Sequence, residues 1–341
     1  MCKVTHIIPV YNGGKLVRRT VDSVLNQTFQ DFELIIIDDG STDRATVELV
    51  DEIGQLDDRI KVVHQENHGL YGTTDIGMRM AQGKYVYLSG QDDYLHPQLF
   101  ELAVKACEEN RLDYLALRWE NADVNKVPET PVYKPETLSL EVIDNRETAD
   151  EKCIEALKLV HIDAWAQFMR RELSVEFPAA ANGQITRTFK CVDASNRWGV
   201  IRNPLYYYSK NNVGGSLMHK PIYADWVDEL HWELAGMYDL AKKHPRVRFL
   251  AMCKMHVLPG ITTVFHLIKR SNRKLGLRDK LAAWRAFSRL AADFIFARPV
   301  PVKLLGAKHF VEYLGLALVY GGAWNPSVGT HELRGSSKKI K

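Results

Sequence analysis

The stretch Phe32–Ile37 is apolar at every position except Glu33 and runs straight into Asp38-Asp39-Gly40-Ser41-Thr42-Asp43. A short apolar run of this kind reads as a strand covered on both faces, the mark of a sheet buried between helices. Its surroundings repeat the theme. Val4–Ile8 is a second short apolar run, ended by Pro9 and then Asn12-Gly13-Gly14. Lys15–Leu25 carries Leu16, Val17, Val21, Val24 and Leu25 at helical spacing. Ala45–Ile53, Gly69–Ala81 and Gln98–Cys107 also read as helices, and Ile60–Val63, Tyr85–Leu88 and Tyr114–Trp119 as strands. Regular strand–helix alternation with short connections predicts an α/β fold, a parallel sheet wrapped by helices. Such sheets bind ligands at the carboxyl ends of their strands.

Beyond residue 120 the pattern loosens. Residues 120–150 are polar and contain prolines, a long loop or an irregular β insertion. Residues 151–218 hold two helical patterns, then Arg197–Ile201 and Leu205–Tyr208 as short strands. From about 221 the chain is helical, with patterns at Ala224–Lys243, Val247–Leu258, Ile261–Lys269, Leu281–Phe296 and Val302–Tyr320. The charge shifts at nearly the same place. The net +3 conceals −13 over residues 1–240 and +16 over residues 241–341. We therefore expect an α/β domain over 1–218, in halves 1–119 and 120–218, a basic helical accessory region over 219–330 and a polar tail over 331–341. Five scattered cysteines without a CxxC read as reduced cytosolic thiols. The first apolar run is too short for a signal peptide, and no window reaches the length of a membrane span, so a cytoplasmic protein is expected.

Three short motifs carry chemistry. Asp38-Asp39-Gly40 closes the buried strand, where one carboxylate can accept a base N–H or a ribose hydroxyl. Helix capping by solvated aspartates explains it equally. Gln91-Asp92-Asp93 follows the strand Tyr85–Leu88, and adjacent carboxylates there suit a hard divalent cation that also holds substrate phosphates. A cap before the helix near Pro97 is the alternative. Pro9-Val10-Tyr11-Asn12 places an aromatic ring just past the first strand, to stack on a base or simply to line a rim.

Taken in order, these motifs say more. Pro9–Asn12, Ser23–Glu33 and Asp38–Asp43 are followed by Asn67-His68-Gly69-Leu70, Ala81–Tyr85 and Asp92–Pro97. The series resembles the inverting family-2 glycosyltransferases, densely over residues 3–119 and again at Trp165–Leu173 and Pro204–Tyr208. The resemblance implies a GT-A fold, a Rossmann-like mixed sheet flanked by helices, here with a C-terminal helical extension. It implies that Pro9, Tyr11 and Asn12 line the nucleobase pocket, that Asp39 with Asp38 holds the uracil and ribose side, and that Gly69 and Gln91 belong to the nucleotide-sugar site. Asp92 matches the metal-binding carboxylate of the family's Asp-X-Asp, for Mn2+ or Mg2+. The second half would carry the acceptor.

Several positions depart from the family pattern. Gly90 stands where Asp-X-Asp begins, Thr74-Asp75 replaces Arg-Asn, and Gln167 replaces the Lys of Trp-x-Lys. The acidic pair that holds the catalytic base falls on Gly183-Gln184, and an amide takes no proton at neutral pH. Asp193 is the only carboxylate between Phe177 and Pro204, and Asp163, His161 and His219 are other candidate bases.

The expected activity is transfer of a sugar from a nucleotide diphosphate, uridine-based, to an acceptor hydroxyl of a glycan or lipid-linked acceptor in capsule, lipopolysaccharide or exopolysaccharide assembly. A degenerate transferase domain acting as a nucleotide-binding scaffold is the rival. A nucleotidyltransferase ranks last, since Asn12-Gly13-Gly14-Lys15 is a thin match to a triphosphate loop. His64 and His68 are four apart but straddle a strand end and a turn, so they would not share a helical face. Trp226, Trp232 and Trp284 sit in helical patterns and read as core. The basic C-terminal helices suit docking on an anionic membrane from the cytoplasmic side, and a homo-oligomer interface is equally compatible with their apolar faces. Nucleic acid is not expected as a partner, because the charges are spread and no recognition module is present.

Overall fold

The computed structural model describes residues 2–157, 159–161 and 164–210. The chain divides into two compact units, Met1–His219 and Lys220–Lys341, and the described residues all belong to the first. The expected helices beyond 219 and the polar tail lie outside them.

Element order follows the sequence pattern closely. It runs β1 (Val4–Val10), α1 (Leu16–Leu25), β2 (Phe32–Asp38), α2 (Arg44–Gly54), β3 (Ile60–His64), α3 (Gly69–Met80) and β4 (Tyr85–Leu88). Next come β5 (Tyr94–Leu95), α4 (Leu99–Asn110), β6 (Tyr114–Asp123), β7 (Leu140–Asp144) and α5 (Asp150–Leu157). The last group is β8 (Gln167–Arg170), α6 (Arg171–Glu176), α7 (Ala179–Asn182), α8 (Gln184–Ala194) and β9 (Arg197–Lys210). Among the described residues one sheet holds all nine strands, in the order β3-β2-β1-β4-β8-β6-β9-β5, with β7 paired to β9.

The first four strands are parallel, while β8 runs antiparallel to both β4 and β6. The sheet is therefore mixed, and its strands are buried as the apolar runs require. Ile35, Ile36 and Ile37 of β2 have no exposed surface, nor do Ile7 and Ile8 of β1. Because β8 is reversed, its first residues lie beside the last residues of β4. The second half of the unit is thus joined to the same sheet as the first.

Two strands, β5 and β8, are not expected from the sequence, and two boundaries move at prolines. β1 continues through Pro9 to Val10. Its pairing with β4 ends at Ile7–Leu88, while β2 pairs with it through Val10–Asp38, so the missing N–H of Pro9 is not needed. The two short strands expected around Pro204 are one strand. Pro204 sits opposite Arg118, where the β6–β9 register shifts, and the irregularity absorbs the proline. Of the two readings for 120–150, the β insertion holds: β6 runs on to Asp123 beside β9, and β7 adds to the other side of β9.

Candidate active site

The carboxyl ends of β1, β2, β3 and β4 share one edge of the sheet, and the sequence motifs converge there. Asp38 and Asp39 are both buried, at 3% and 4% exposure, yet they do different work. Asp38, the last residue of β2, is held within the protein. One oxygen accepts from the Ser41 backbone N–H at 3.1 Å, and the other lies 2.9 Å from His64 Nδ1. His64 Nε2 lies 3.0 Å from Asp51 Oδ1. The hydrogen bond to Asp38 raises the His64 pKa above its ordinary value, with the Asp51 bond adding to it against the effect of burial. His64 thus bridges two carboxylates, while His68 sits at the N-cap position of α3 with no side-chain capping bond.

Asp39 is arranged differently. Its Oδ1 accepts from Gln65 Nε2 and from the His68 backbone N–H, both at 2.8 Å, and its own N–H donates to the Val10 carbonyl. These bonds fix the carboxylate at the strand end while using one of its two oxygens. Gly40 makes the turn possible: its φ is +72°, and a Cβ there would stand 2.9 Å from the Asn67 backbone nitrogen. Gly69 opens α3 on the same side.

Asn12 clamps the loop after β2. Its Oδ1 accepts from the Thr42 and Asp43 N–H groups, both at 2.9 Å, and its own N–H donates to Ser41 Oγ. Asn12 therefore ties the end of β1 to the Ser41–Asp43 loop. Gln91 does the same for Tyr11: the side-chain amide accepts from the Tyr11 N–H at 2.9 Å and donates to the Tyr11 carbonyl at 3.2 Å. The pair ties the end of β1 to the turn after β4. Tyr11 is exposed and Pro9 half-buried beside it.

The two carboxylates after β4 also separate. Asp93 points inward and is 2% exposed. The Tyr206 hydroxyl donates to its Oδ2, and the Ser209 N–H donates to its Oδ1 at 2.8 Å. Burial, with the Asp92 charge second, pushes its carboxyl up to about 7. Thr20 Oγ1 donates to the Asp93 carbonyl and Arg19 Nη1 to the Asp92 carbonyl, so α1 holds the turn from below. Asp92 is half-buried at the tip of the turn. Gly90 explains itself here, because a Cβ at that position would run into Asp93 Oδ2. The first position of the motif has no room for a side chain while Asp93 is held by Tyr206.

No group of three or more His, Cys, Asp or Glu side chains forms a metal cage among the described residues. That donor set still fits a divalent cation carried by a diphosphate, which takes one or two protein carboxylates and completes its shell with phosphate oxygens and water.

The second half is pinned by a residue noted in the sequence only as a departure from the family pattern. Asp75, buried on α3, accepts from the Ala179 N–H at 2.6 Å and the Ala180 N–H at 2.9 Å. Its carboxylate caps α7 and fixes the segment ahead of Gln184. Gln184 is half-buried at the first position of α8. Buried Gln167 reaches α8 through Thr188 Oγ1 at 2.7 Å, and buried Arg187 donates to the Phe177 carbonyl at 3.0 Å. Asp193 is set apart from this group. It lies nine residues further along α8, about 13 Å by helical rise, next to the start of β9 and so at the opposite sheet edge from Asp92. Asp163 and His219 lie outside the described residues. The caps made by Asp75 and the clamps made by Gln91 and Asn12 leave no signal in residue type alone. Tyr206 and Ser209 lie within or beside the Pro204–Tyr208 motif, but nothing in their spacing names Asp93 as their partner.

A mixed sheet with paired carboxylates at the ends of its second and fourth strands is the architecture of a GT-A transferase, and the family assignment follows. Residues 5–176 match the model of glycosyl transferase family 2, half of the chain, and the chain belongs to that family. Among curated proteins it is similar to the uncharacterised glycosyltransferase EpsJ of Bacillus subtilis (strain 168), 30% identical over 175 residues, 50% of this chain and 48% of EpsJ. It is similar to glycosyltransferase GlyG of Streptococcus pneumoniae serotype 4, 32% identical over 121 residues, 35% of this chain and 40% of GlyG. The chain thus spans about half or less of the length of these relatives. Among solved structures, S. aureus TarS 1–349 in complex with UDP-GlcNAc superposes with a TM-score of 0.63 at 19% identity, covering 95% of this chain and 93% of that one. The mannosyltransferase PcManGT from Pyrobaculum calidifontis, in complex with GDP-Man and Mn2+, gives 0.51 at 15% identity, covering 93% and 81%. These likenesses establish the GT-A fold.

Proposed function

We propose that this chain is an inverting, metal-dependent glycosyltransferase that moves a sugar from a uridine diphosphate donor to an acceptor hydroxyl, in the assembly of a cell-surface polysaccharide. The observation that carries the reading is the placing of the two aspartate pairs on one sheet edge. Asp39 follows the end of β2 and Asp92 the turn after β4, the strands on either side of β1. Two strand spacings, about 10 Å, separate those ends. A nucleoside diphosphate covers a distance of that order, with its base at Asp39 and its diphosphate at Asp92.

In this reading Asp39 accepts the base N–H with its second oxygen, and Tyr11 lies against the ring. Asp92 holds Mn2+ or Mg2+ on the diphosphate, and the cation offsets the charge of the departing nucleotide. Tyr206, Ser209, Thr20 and Arg19 keep the turn rigid while charge develops beside it. The acceptor proton goes to a base in the second half. Gln184 cannot take it, and Asp193 faces the wrong edge. TarS solved with UDP-GlcNAc and PcManGT solved with GDP-Man and Mn2+ support donor and metal by likeness. The basic C-terminal region suits an anionic membrane surface, which liposome flotation of the full chain against a chain ending at residue 300 tests.

The deciding experiment incubates the protein with UDP- and GDP-sugars, Mn2+ and a lipid-linked acceptor. Donor turnover supports the enzyme. UDP binding without any turnover supports the scaffold reading that Gly90 and Gln184 motivate.

A further inference from the structure

Both aspartates at the end of β2 are held from the end of β3. His64, the last residue of β3, contacts the Asp38 side chain. The next residue, Gln65, donates its backbone N–H to the Asp38 carbonyl at 3.0 Å and its side-chain amide to Asp39 Oδ1 at 2.8 Å. From Asp38 the contacts continue toward β1. Its Oδ1 accepts from the Ser41 N–H, and Ser41 Oγ accepts from the Asn12 N–H at 2.9 Å, one residue beyond Tyr11. A chain of hydrogen bonds therefore links His64 to the loop that follows β1.

The His64 ring faces two acceptors and needs two donors. Nδ1 lies 2.9 Å from Asp38 Oδ2, and Nε2 lies 3.0 Å from Asp51 Oδ1. Ionised carboxylates only accept, and a neutral imidazole carries a single N–H, so both contacts are hydrogen bonds only in the imidazolium form. The positive charge has a second use. Asp38 and Asp39 are adjacent and buried, and like charges so placed repel. Their other partners are the Ser41 and His68 backbone N–H groups and the Gln65 amide, all neutral. Among the described residues, His64 is the only side chain in contact with either carboxylate that can carry a positive charge.

Asp38, from the end of β2, and Asp51, from α2, act on the ring both by hydrogen bond and by charge. Lys61, the other charged residue of β3, alternates to the opposite face. Glu48 of α2 is paired with Arg44 at 2.6 Å. Loss of the ring proton turns one nitrogen into an acceptor facing a carboxylate. Asp38 is buried and Asp51 is exposed, so the remaining N–H stays with Asp38 and the Asp51 bond breaks. The bond to Asp38 then loses the charge on its donor and weakens.

We propose that His64 is a positioning residue of the nucleotide site: bridging Asp38 and Asp51 as an imidazolium, it holds the turn Asp38–Ser41 in the shape that receives the nucleobase, and donor binding is thereby linked to its proton. The proposal rests on the glycosyltransferase reading for what occupies the turn. It assigns His64 no contact with the nucleotide and no part in the sugar transfer itself.

Calorimetric titration of the full chain with UDP and Mg2+, from about pH 6 to about pH 8.5, tests it in wild type, His64→Gln and Asp51→Asn. The terminal phosphate of UDP also titrates, and the ratio of each variant's dissociation constant to that of wild type removes its contribution. Glutamine can donate one N–H to Asp38 but carries no charge. The His64→Gln ratio should be about fivefold at the acid end and approach one as pH rises through the raised pKa of the ring. Asp51→Asn removes one of the two negative charges that favour the imidazolium. Its UDP affinity should match wild type within about twofold at the acid end and fall away at a lower pH than wild type does. Asp51 is exposed, so this variant keeps the test available if His64→Gln lowers the melting temperature. A His64→Gln ratio that stays constant with pH, or an Asp51→Asn profile that superposes on wild type, overturns the proposal and leaves the donor reading intact. A wild-type protein that binds no UDP at any pH overturns both.

Discussion

Asp39→Asn perturbs one oxygen of the proposed nucleobase contact and leaves the shape of the side chain unchanged. In the native protein Oδ1 accepts two N–H groups at 2.8 Å, from Gln65 and His68, inside a site only 4% exposed. An asparagine oxygen can keep both bonds, but without the negative charge each weakens by about 1 kcal/mol, so folding stability should fall by about 2 kcal/mol. The effect on the ligand is larger and opposite in kind. The second oxygen becomes an NH2 group that faces the base N–H, donor against donor. Losing a charge-assisted bond at a buried position is worth about 2–3 kcal/mol, which weakens UDP binding about 30- to 150-fold. Calorimetric titration with UDP and Mn2+ at a temperature well below the melting transition separates the two effects. A dissociation constant within about threefold of wild type, in a variant that has lost the expected stability, would show that Asp39 does not read the base.

The same structure makes other commitments. Gly90→Asp restores the family's Asp-X-Asp on paper, but the new side chain collides with Asp93, so stability should fall by about 1–3 kcal/mol and activity should not rise. A raised turnover with an unchanged melting temperature would contradict this. Asp75→Ala strips the cap from α7 and leaves the Ala179 and Ala180 N–H groups without their acceptor, which should cost about 3 kcal/mol in urea unfolding. A loss below about 1 kcal/mol would mean that solvent replaces the carboxylate. The raised pKa of His64 means that its contact with Asp38 stabilises the fold fully below the ordinary value of 6.5 and fades as pH rises through the raised value. Melting temperatures measured upward from pH 6 should fall in wild type by more than in His64→Gln, and parallel curves would show that the His64 proton is not linked to folding.

Much of the fold was written in apolar runs. β1, β2 and β4 are continuous and buried, so periodicity and turn residues located them to within a few positions, and Asp38–Asp39 could be placed at a strand end. What pattern did not carry was how each aspartate is held. That depends on partners far along the chain: His64 for Asp38, and Tyr206 and Ser209 for Asp93. The departures from the family pattern became intelligible only through contacts of this kind. Gly90 yields its space to Asp93, and Asp75 holds α7. Asp193 was a reasonable base in one dimension, being the only carboxylate in its segment. Helical rise along α8 carries it to the far edge, which only the strand directions reveal.

The central claim is that Asp92 couples a divalent cation to a nucleotide diphosphate at the end of β4. UDP titrated into wild type and Asp92→Ala, each with Mn2+ and with chelator, tests it directly. The account predicts that Mn2+ tightens UDP binding at least about tenfold in wild type and has no effect in Asp92→Ala, while both variants bind UDP alike in chelator. Equal Mn2+ enhancement in both proteins would place the metal elsewhere and remove Asp92 from the site.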